Sequence, residues 1–157
     1  MSKETSLKIG IVGSGSWATA MVKMLTDNTQ PKNVLWWVRK EEDRDYIVSF
    51  KHNPSYLSAV EIKVAPHNIY IDAKDVIQAS DIIVLNTPAA YLKDALKDVC
   101  EADFKGKIVV SAIKGIIPDE NQAVGDYLVE KYNISLQDIV VIAGPCHAEE
   151  VAQEKLS

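Results

Sequence analysis

The sequence has 157 residues, the length of one ordinary domain, and its 47% hydrophobic and 25% charged residues are typical of a globular chain with a buried core. A formal net charge of −5, without a cluster of Lys and Arg, argues against a nucleic-acid partner. The two cysteines and three histidines lack the spacing of a disulfide framework or a metal site, and no apolar run approaches the roughly 20 residues of a membrane span.

Short β-branched apolar runs alternate with helical patterns along the chain. In chain order the sequence predicts a strand at 7–12, a helix at 16–27, a strand at 33–38, a helix at 41–50, a strand at 68–71, a helix at 73–79, a strand at 81–85, a helix at 90–99, a strand at 107–111, a helix at 119–131 just after Pro118, a strand at 138–143 and the beginning of a helix at 148–155. Asn-Pro and Ala-Pro pairs predict an irregular segment at 51–67. Strands that are each followed by a helix pair in parallel, so the predicted fold class is α/β, with a doubly wound and mainly parallel sheet.

A glycine-rich turn joins the first predicted strand to the first helix. Gly13, Gly15 and Ala18 match the pattern G-x-G-x-x-[GA], in which the glycines allow a tight turn and a close approach of the backbone to a pyrophosphate. Free N–H groups at the helix N-terminus favour that anion. This context predicts a Rossmann-type dinucleotide site; the alternative is a tight turn with no further role. Trp17 either closes over the cofactor or packs into the core.

The end of the second predicted strand bears on the choice of cofactor. NAD-specific sites place an acidic residue there, whereas this strand ends in Arg39 and Lys40, and Glu41 and Glu42 come later. An arginine can bind a 2′-phosphate through two hydrogen bonds and can stack on adenine. The sequence therefore favours NADPH, or the use of both NADPH and NADH. The alternative is a solvated basic pair without a role.

Ligands of an open α/β sheet bind outside the carboxyl ends of its strands. The unusual features of this sequence all fall at that edge: the glycine turn, Arg39, Asn86-Thr87-Pro88, Lys114-Gly115 and Gly144-Pro145-Cys146-His147. Turn residues without a function would be scattered over both edges of the sheet. The occurrence of all these features at one edge supports a binding site, and we expect Pro88 to contact the cofactor there.

Lys114 has the most reactive potential of these residues. Near a nicotinamide its charge could neutralise a substrate carbonyl or phosphate, or, if buried, it could donate a proton. The alternative is an ordinary surface lysine. His147 could act as an acid or base, but a packed or helix-capping histidine is the simpler interpretation. Cys146 has no neighbouring Lys or Arg that would mark a reactive thiolate.

Several strings together resemble bacterial NAD(P)-dependent glycerol-3-phosphate dehydrogenase. They are G-S-G-S-W-A-T-A at 13–20, Arg39, N-P-S-Y-L at 53–57, S-A-I-K-G-I at 111–116 and A-G-P-C-H-A-E-E-V-A at 143–152, and the last two are the most specific. The resemblance covers almost the whole chain. It implies that residues 1–157 form the NAD(P)-binding Rossmann-type domain of an enzyme that interconverts dihydroxyacetone phosphate and sn-glycerol 3-phosphate, a phospholipid precursor.

The motifs and the resemblance together imply roles for individual residues. Those expected to contact the cofactor are Gly13, Gly15, Ser16, Trp17, Arg39, Lys40, Pro88, Lys114 and Ala148. Those expected to approach the substrate are Lys114, Gly144 and Cys146. The family more often has Ser or Thr in place of Cys146 and Phe in place of His147, so the hydroxyl group that would bind the substrate is replaced by a thiol. Ala18 stands where the family more often has glycine.

The resemblance also implies what lies outside this sequence. In the family, an all-helical domain of comparable size follows the Rossmann-type domain and carries the general acid–base lysine. That lysine would lie beyond Ser157, so no catalytic residue is expected within the chain, which would bind the cofactor weakly and not turn over by itself.

Two alternatives remain open. Another NAD(P)-dependent reductase, of the hydroxyacid or ketopantoate type, would share the glycine turn but not the strings at 111–116 and 143–152. A non-catalytic NAD(P)-sensing module would normally carry a DNA- or partner-binding segment, which this sequence lacks. Residues 1–6 contain no apolar signal-peptide region, so we expect a cytoplasmic protein without a metal, nucleic-acid or membrane partner, and we consider a homodimer for the full-length protein.

Overall fold

The computed structural model describes residues 6–144 and 146–154. Its strands are β1 (Ile9–Val12), β2 (Val34–Trp37), β3 (Ile69–Tyr70), β4 (Ile82–Leu85), β5 (Ile108–Ser111), β6 (Ile116–Ile117), β7 (Gln122–Ala123) and β8 (Ile139–Val141). Its α-helices are α1 (Ser16–Asn28), α2 (Glu41–Phe50), α3 (Ala73–Ala79), α4 (Leu92–Ala95), α5 (Val124–Tyr132) and α6 (Ala148–Ala152).

The main sheet has six strands in the order β3-β2-β1-β4-β5-β8, and every neighbouring pair is parallel. From β1 the chain moves to one side for β2 and β3, then returns to the other side for β4, β5 and β8. The direction of winding therefore reverses between β1 and β4, where open α/β sheets bind ligands. The predicted doubly wound, parallel α/β sheet is confirmed.

The sheet has a hydrophobic core on each face because successive strand residues point to opposite sides. Trp36 packs on one face with Met21 and Val22 of α1. Its neighbour Trp37 belongs to the core on the other face, which also contains Ile77 of α3 and Leu128 of α5. Helices thus cover both faces, and the carboxyl edge of the strands is left for a ligand.

Most predicted elements are present with small shifts at their ends. The helices predicted at 41–50 and 73–79 coincide with α2 and α3, and each strand of the main sheet is one to three residues shorter than predicted. The segment from 51 to 65 contains neither helix nor strand, as the proline pairs indicated.

The helix predicted at 119–131 is wrong at its start, because α5 begins only at Val124. Residues 118–121 form a turn, and β7 pairs with β6 in an antiparallel hairpin that the sequence did not predict. Asn121 has a φ of 50°, a left-handed conformation that asparagine adopts more readily than most residues. Pro118 therefore lies in the hairpin turn rather than at a helix start.

The helix predicted at 90–99 is wrong over most of its length. The chain forms a 3-10 turn at Ala89–Tyr91 and then the single helical turn α4. The Val99 N–H bonds to the Leu96 carbonyl three residues back, at 3.0 Å, which tightens the chain beyond an α-helix. The Asp103 carboxylate then accepts a 2.9 Å bond from the Cys100 N–H and begins another 3-10 turn. The apolar side chains of Leu92, Leu96 and Val99 are thus buried by turns that are tighter than an α-helix.

The last helix is α6, which is shorter than the predicted 148–155; residue 155 lies outside the described residues. It packs against α1, with Ala152 buried between them, and Lys23 of α1 contacts Glu154 Oε1 at 2.8 Å. Over the described ranges, no helix combines the length and the apolarity that crossing a membrane requires.

Candidate functional site

Glycine suits positions 13 and 15 of the turn after β1 for different physical reasons. Gly13 has a φ of +145°, and a Cβ on it would lie 2.3 Å from the Asn86 carbonyl oxygen at the end of β4. The fold therefore requires glycine at this position. Gly15 caps α1 with an ordinary φ of −79°, and a Cβ on it would meet no atom within 4 Å. The open space above Gly15 fits the close approach of a ligand.

Protein donors hold the carbonyl groups of this turn. The Gly13 carbonyl accepts a 2.7 Å hydrogen bond from Trp36 Nε1, and the Gly15 carbonyl accepts one of 2.9 Å from the Thr19 hydroxyl. No described side chain caps α1, so the N–H groups of its first turn keep their bonding capacity. These N–H groups and the positive end of the helix dipole form a surface suited to an anion such as a pyrophosphate.

Asn53 connects the turn to a distant loop, a contact that the sequence analysis missed. Its Nδ2 donates to the Ser14 carbonyl at 3.2 Å and to Thr19 Oγ1 at 2.9 Å, although 39 positions separate Asn53 from Ser14. Its Oδ1 accepts from the N–H groups of Ser55 and Tyr56, at 2.9 and 3.2 Å. The Asn-Pro pair signals a turn in the sequence, but it does not indicate which element that turn contacts.

Two adjoining clefts open at the carboxyl edge of the sheet. The Lys114 cleft has a volume of about 350 Å³ and is lined by Gly15, Ser16, Trp17, Asn86, Thr87, Pro88, Ala112, Ile113, Lys114, Cys146, His147, Ala148 and Glu149. The Arg39 cleft has a volume of about 140 Å³ and is lined by Ser14, Gly15, Trp37, Arg39, Tyr56, Thr87, Pro88, Tyr91, Asp94 and Ala95. The two clefts share Gly15, Thr87 and Pro88 and therefore meet at the glycine turn.

The structure brings most of the predicted site residues into these clefts. The Lys114 cleft contains Ser16, Trp17, Pro88, Lys114, Cys146 and Ala148, and the Arg39 cleft contains Arg39. Gly13 lies under the turn, against the end of β4. Lys40 and Gly144 are exposed and line neither cleft: Lys40 is the N-cap residue of α2, and Gly144 precedes α6. Ligand contacts by all of these residues stay predictions.

The position of Trp17 is compatible with both interpretations of its role, and only its packing against the core is observed. It is half-buried and packs against the core on the α1 face of the sheet, while it also lines the Lys114 cleft. One surface of the indole is thus fixed by the fold, and another is available to a ligand.

Lys114 is exposed on the wall of its cleft, three residues after β5. No hydrogen bond or ion pair of Lys114 occurs within the described part of the chain, whereas Lys93 contacts Glu120 at 2.5 Å. Lys114 is therefore not buried, as a proton-donating role would require. Its geometry supports the electrostatic role instead. His147 is also exposed and occupies the N-cap position of α6 without a capping side-chain bond.

The Arg39 cleft is lined by a cation and by aromatic surface. Arg39 is exposed and lies two residues after the end of β2. The first acidic residue after it, Glu41, contacts Arg44 Nη2 at 2.7 Å and is thus held on α2. Tyr56, which belongs to the N-P-S-Y-L string but was not given a role there, lines the same cleft, and Asp94 contributes a carboxylate to its wall.

A larger cavity of about 650 Å³ lies at the opposite edge of the sheet, near Lys107 and Asp138 at the amino ends of β5 and β8. Burial raises the pKa of Tyr132 in its wall, and the Tyr132 hydroxyl donates to the Leu96 carbonyl at 3.3 Å. Because ligands of open α/β sheets bind at the carboxyl edge, the paired clefts are the stronger candidate despite their smaller volumes.

Comparison with known proteins agrees with this geometry. The family described as NAD-dependent glycerol-3-phosphate dehydrogenase N-terminus matches residues 8–157 of the chain. A glycerol-3-phosphate dehydrogenase (NAD(P)+) of Oceanobacillus iheyensis is 32% identical over 147 residues, which cover 92% of this chain and 41% of that protein.

Solved structures show the same relationship. Glycerol-3-phosphate dehydrogenase from Saccharomyces cerevisiae matches with a TM-score of 0.79 at 25% identity, covering 98% of this chain and 46% of that one. The enzyme from Plasmodium falciparum matches with a TM-score of 0.77 at 29% identity, covering 97% and 44%. The chain thus spans less than half the length of these relatives. It belongs to the NAD-dependent glycerol-3-phosphate dehydrogenase family and corresponds to the N-terminal part of its members.

Proposed function

We propose that residues 1–157 form the cofactor-binding domain of an oxidoreductase that interconverts dihydroxyacetone phosphate and sn-glycerol 3-phosphate with NAD(P)H. One observation carries this proposal: two clefts, each with an exposed cation, meet over the uncapped N-terminus of α1. A dinucleotide has two nucleotide halves joined by a pyrophosphate, and this arrangement offers a place for each part. Membership of the family supplies the substrate.

The cofactor would lie across the strand ends, with its pyrophosphate over Gly13 and Gly15 and its adenosine half in the Arg39 cleft. Arg39, with Lys40 beside it, would bind a 2′-phosphate, so NADPH is favoured over NADH. Tyr56 offers an aromatic surface to the same half. The nicotinamide half would occupy the Lys114 cleft, in contact with Ser16, Trp17, Pro88, Lys114 and Ala148.

The substrate would bind at the outer end of the Lys114 cleft. A nicotinamide bound in this cleft would make a hydride available to the ketone carbon of dihydroxyacetone phosphate. The exposed ammonium group of Lys114 attracts the phosphate or the carbonyl oxygen of the substrate. Gly144 and Cys146 would approach the substrate from the segment that leads into α6. The chain would thus position and polarise the reactants, while the resemblance implies that a lysine beyond Ser157 would supply the proton for the ketone oxygen.

The setting of the whole protein is part of the same proposal. By its family, the full-length protein would act in the cytoplasm in the synthesis of phospholipid precursors, as a homodimer, with a helical domain completing the active site. The chain alone would bind the cofactor but not reduce the substrate.

The test begins with calorimetric titration of NADPH and NADH into the 157-residue chain. We expect tighter binding of NADPH, and a loss of roughly tenfold in NADPH affinity on Arg39→Ala, because a charge-assisted pair with phosphate is removed. Arg44→Ala is the matched control, since Arg44 is already engaged by Glu41 and Asp45 on α2. The preference for NADPH would be contradicted if the wild type bound NADPH and NADH equally and Arg39→Ala changed neither affinity.

The second part of the test follows turnover. The full-length protein should reduce dihydroxyacetone phosphate, whereas the 157-residue chain should not. Turnover by the chain alone would overturn the division of labour between the two parts. Reduction of a ketopantoate-type or hydroxyacid-type substrate in place of dihydroxyacetone phosphate would favour the alternative reductase.

A further inference from the structure

Thr87 carries a buried hydroxyl group at the place where the two clefts meet. The residue is only 7% exposed, and its Oγ1 is buried without a hydrogen-bond partner among the described residues. Thr87 lines both clefts. It also faces the glycine turn, because a Cβ placed on Gly13 would lie 3.2 Å from the Thr87 backbone nitrogen.

Comparable hydroxyl groups in this core are paired. Thr19 Oγ1 donates to the Gly15 carbonyl, Thr26 Oγ1 to the Val22 carbonyl and Ser80 Oγ to the Val76 carbonyl, at 2.9, 2.9 and 2.6 Å. A buried hydroxyl group without a partner destabilises the folded state, and valine would fill the same volume without that cost. Stability of the domain therefore does not explain a threonine at position 87.

The position of Thr87 points to a ligand as the partner. The wall shared by both clefts borders the middle of any molecule that spans them. In a dinucleotide that middle is the ribose–diphosphate segment, which is rich in hydrogen-bond acceptors. Thr87 is thus the residue that places a donor beside this segment, opposite the N–H groups of α1.

We propose that Thr87 Oγ1 donates a hydrogen bond to an oxygen of the ribose–diphosphate segment of the bound dinucleotide. The inference rests on the proposed function. Since Oγ1 is shielded in this structure, rotation about the Cα–Cβ bond brings it to the cleft. The Thr87 hydroxyl group would thus lower the stability of the cofactor-free protein and raise the affinity of the protein for the cofactor.

The test uses Thr87→Val in the full chain, with NADPH, ADP-ribose and adenosine 2′-phosphate as probes. Without cofactor, Thr87→Val should unfold about 2–4 °C higher than the wild type, because the unpaired hydroxyl group is gone. Its affinity for NADPH and ADP-ribose should fall about tenfold. Affinity for adenosine 2′-phosphate should stay unchanged, because this probe would occupy only the Arg39 cleft and carries neither phosphate of the diphosphate bridge.

Two further variants keep the result specific. Thr87→Ser retains the hydroxyl group and should bind NADPH nearly as the wild type does. Thr26→Val removes a buried hydroxyl group that lies outside both clefts and should leave all affinities unchanged.

The experiment distinguishes a failure of the proposed function from a failure of the role assigned to Thr87. If the wild type binds none of the probes, the proposed function falls together with this inference. If the wild type and Thr87→Val bind NADPH equally, only the role of Thr87 is overturned. An equal loss for all three probes, together with a lower melting temperature, would also overturn it, because it would mark Thr87 as a purely structural residue.

Discussion

The indole Nε1 of Trp36 donates a 2.7 Å hydrogen bond to the carbonyl oxygen of Gly13, although the two residues are 23 positions apart. Trp36 is fully buried on β2, and the parallel pairing of β1 with β2 places Ile11 beside it. A core side chain therefore orients the turn that we assign to the pyrophosphate. The proposed function therefore predicts that core packing and ligand binding are coupled at this contact.

Trp36→Phe should reveal this coupling. The change keeps most of the apolar volume but leaves the Gly13 carbonyl without its donor, which should cost about 1–2 kcal/mol of unfolding free energy. NADPH affinity should fall several-fold because the turn is less well fixed. Tyr132→Phe removes a buried hydroxyl donor at the opposite edge and should lower stability without changing affinity. Unchanged NADPH affinity in Trp36→Phe would show that the turn needs no support from the core.

The two glycines of the turn should respond in opposite ways to alanine. Gly13→Ala forces a Cβ to 2.3 Å from the Asn86 carbonyl oxygen at a φ of +145°, so it should destabilise the fold by about 2 kcal/mol or more. Gly15→Ala meets no atom within 4 Å and should change stability by only about 1 kcal/mol or less. Its methyl group occupies the ligand's space, so NADPH affinity should fall by tenfold or more. Denaturant titration and calorimetry of both variants check this, and a Gly15→Ala protein that binds NADPH normally would contradict it.

Asn53→Asp should weaken cofactor binding, and Asn68→Asp provides a matched control. In Asn53→Asp a carboxylate oxygen replaces the amide that donates to the Ser14 carbonyl and to Thr19 Oγ1, leaving a buried, poorly paired charge. Asn68 is likewise buried and donates to backbone carbonyls, but it lines neither cleft.

Both asparagine variants should lose about 2–4 kcal/mol of stability, which denaturant titration measures. Under conditions where both remain folded, only Asn53→Asp should bind NADPH more weakly. Equal affinities in the two variants would restrict Asn53 to a role in folding.

The free energy of unfolding should depend on pH in the acidic range because of Asp27. Hydrogen bonds from Lys23 and Lys63, at 2.7 and 2.5 Å, hold the pKa of the Asp27 carboxyl below its ordinary value of 3.8. Because the folded-state pKa is the lower one, the ion pairs stabilise the protein above pH 3.8, and this contribution is lost as the pH falls through the folded-state pKa.

Asp27→Asn should therefore be less stable than the wild type at neutral pH by about 0.5–1 kcal/mol. The difference should close in acid, as followed by denaturant titration across the acidic range. Asp98→Asn, at an exposed carboxylate outside the described ion pairs, is the matched control for the loss of one surface carboxylate. A constant difference for Asp27→Asn at every pH would contradict the ion-pair explanation.

The main sheet could be predicted because its strands carry their own signal. All four residues of β2 are buried, as expected for a strand covered on both faces, and such runs are visible in the sequence. The hairpin of β6 and β7 was missed because each strand has only two residues and the turn depends on one asparagine with positive φ. Pro118 resembled a helix start because local pattern does not distinguish the two contexts.

The residues of the candidate site likewise include some whose roles the sequence could predict and others whose roles it could not. Gly15, Arg39 and Lys114 closely follow predicted strands, so the topology of an α/β sheet brings them to one edge. Asn53, Tyr56 and Thr87 were not assigned roles because theirs depend on contacts across the fold. The side chain of Asn53 reaches the glycine turn only once the loop after α2 has folded back over α1, and no local pattern encodes that path.

The placement of the tryptophans gives the protein an optical probe of its own. Trp17 lines the Lys114 cleft and Trp37 borders the Arg39 cleft, whereas Trp36 is enclosed in the core. Reduced nicotinamide absorbs light at the wavelengths where indole emits, so a cofactor in this cleft would quench the fluorescence of Trp17. Emission from Trp36 would instead shift to the red only when the core is exposed to water. Occupancy and unfolding can thus be followed in one emission spectrum without any added label.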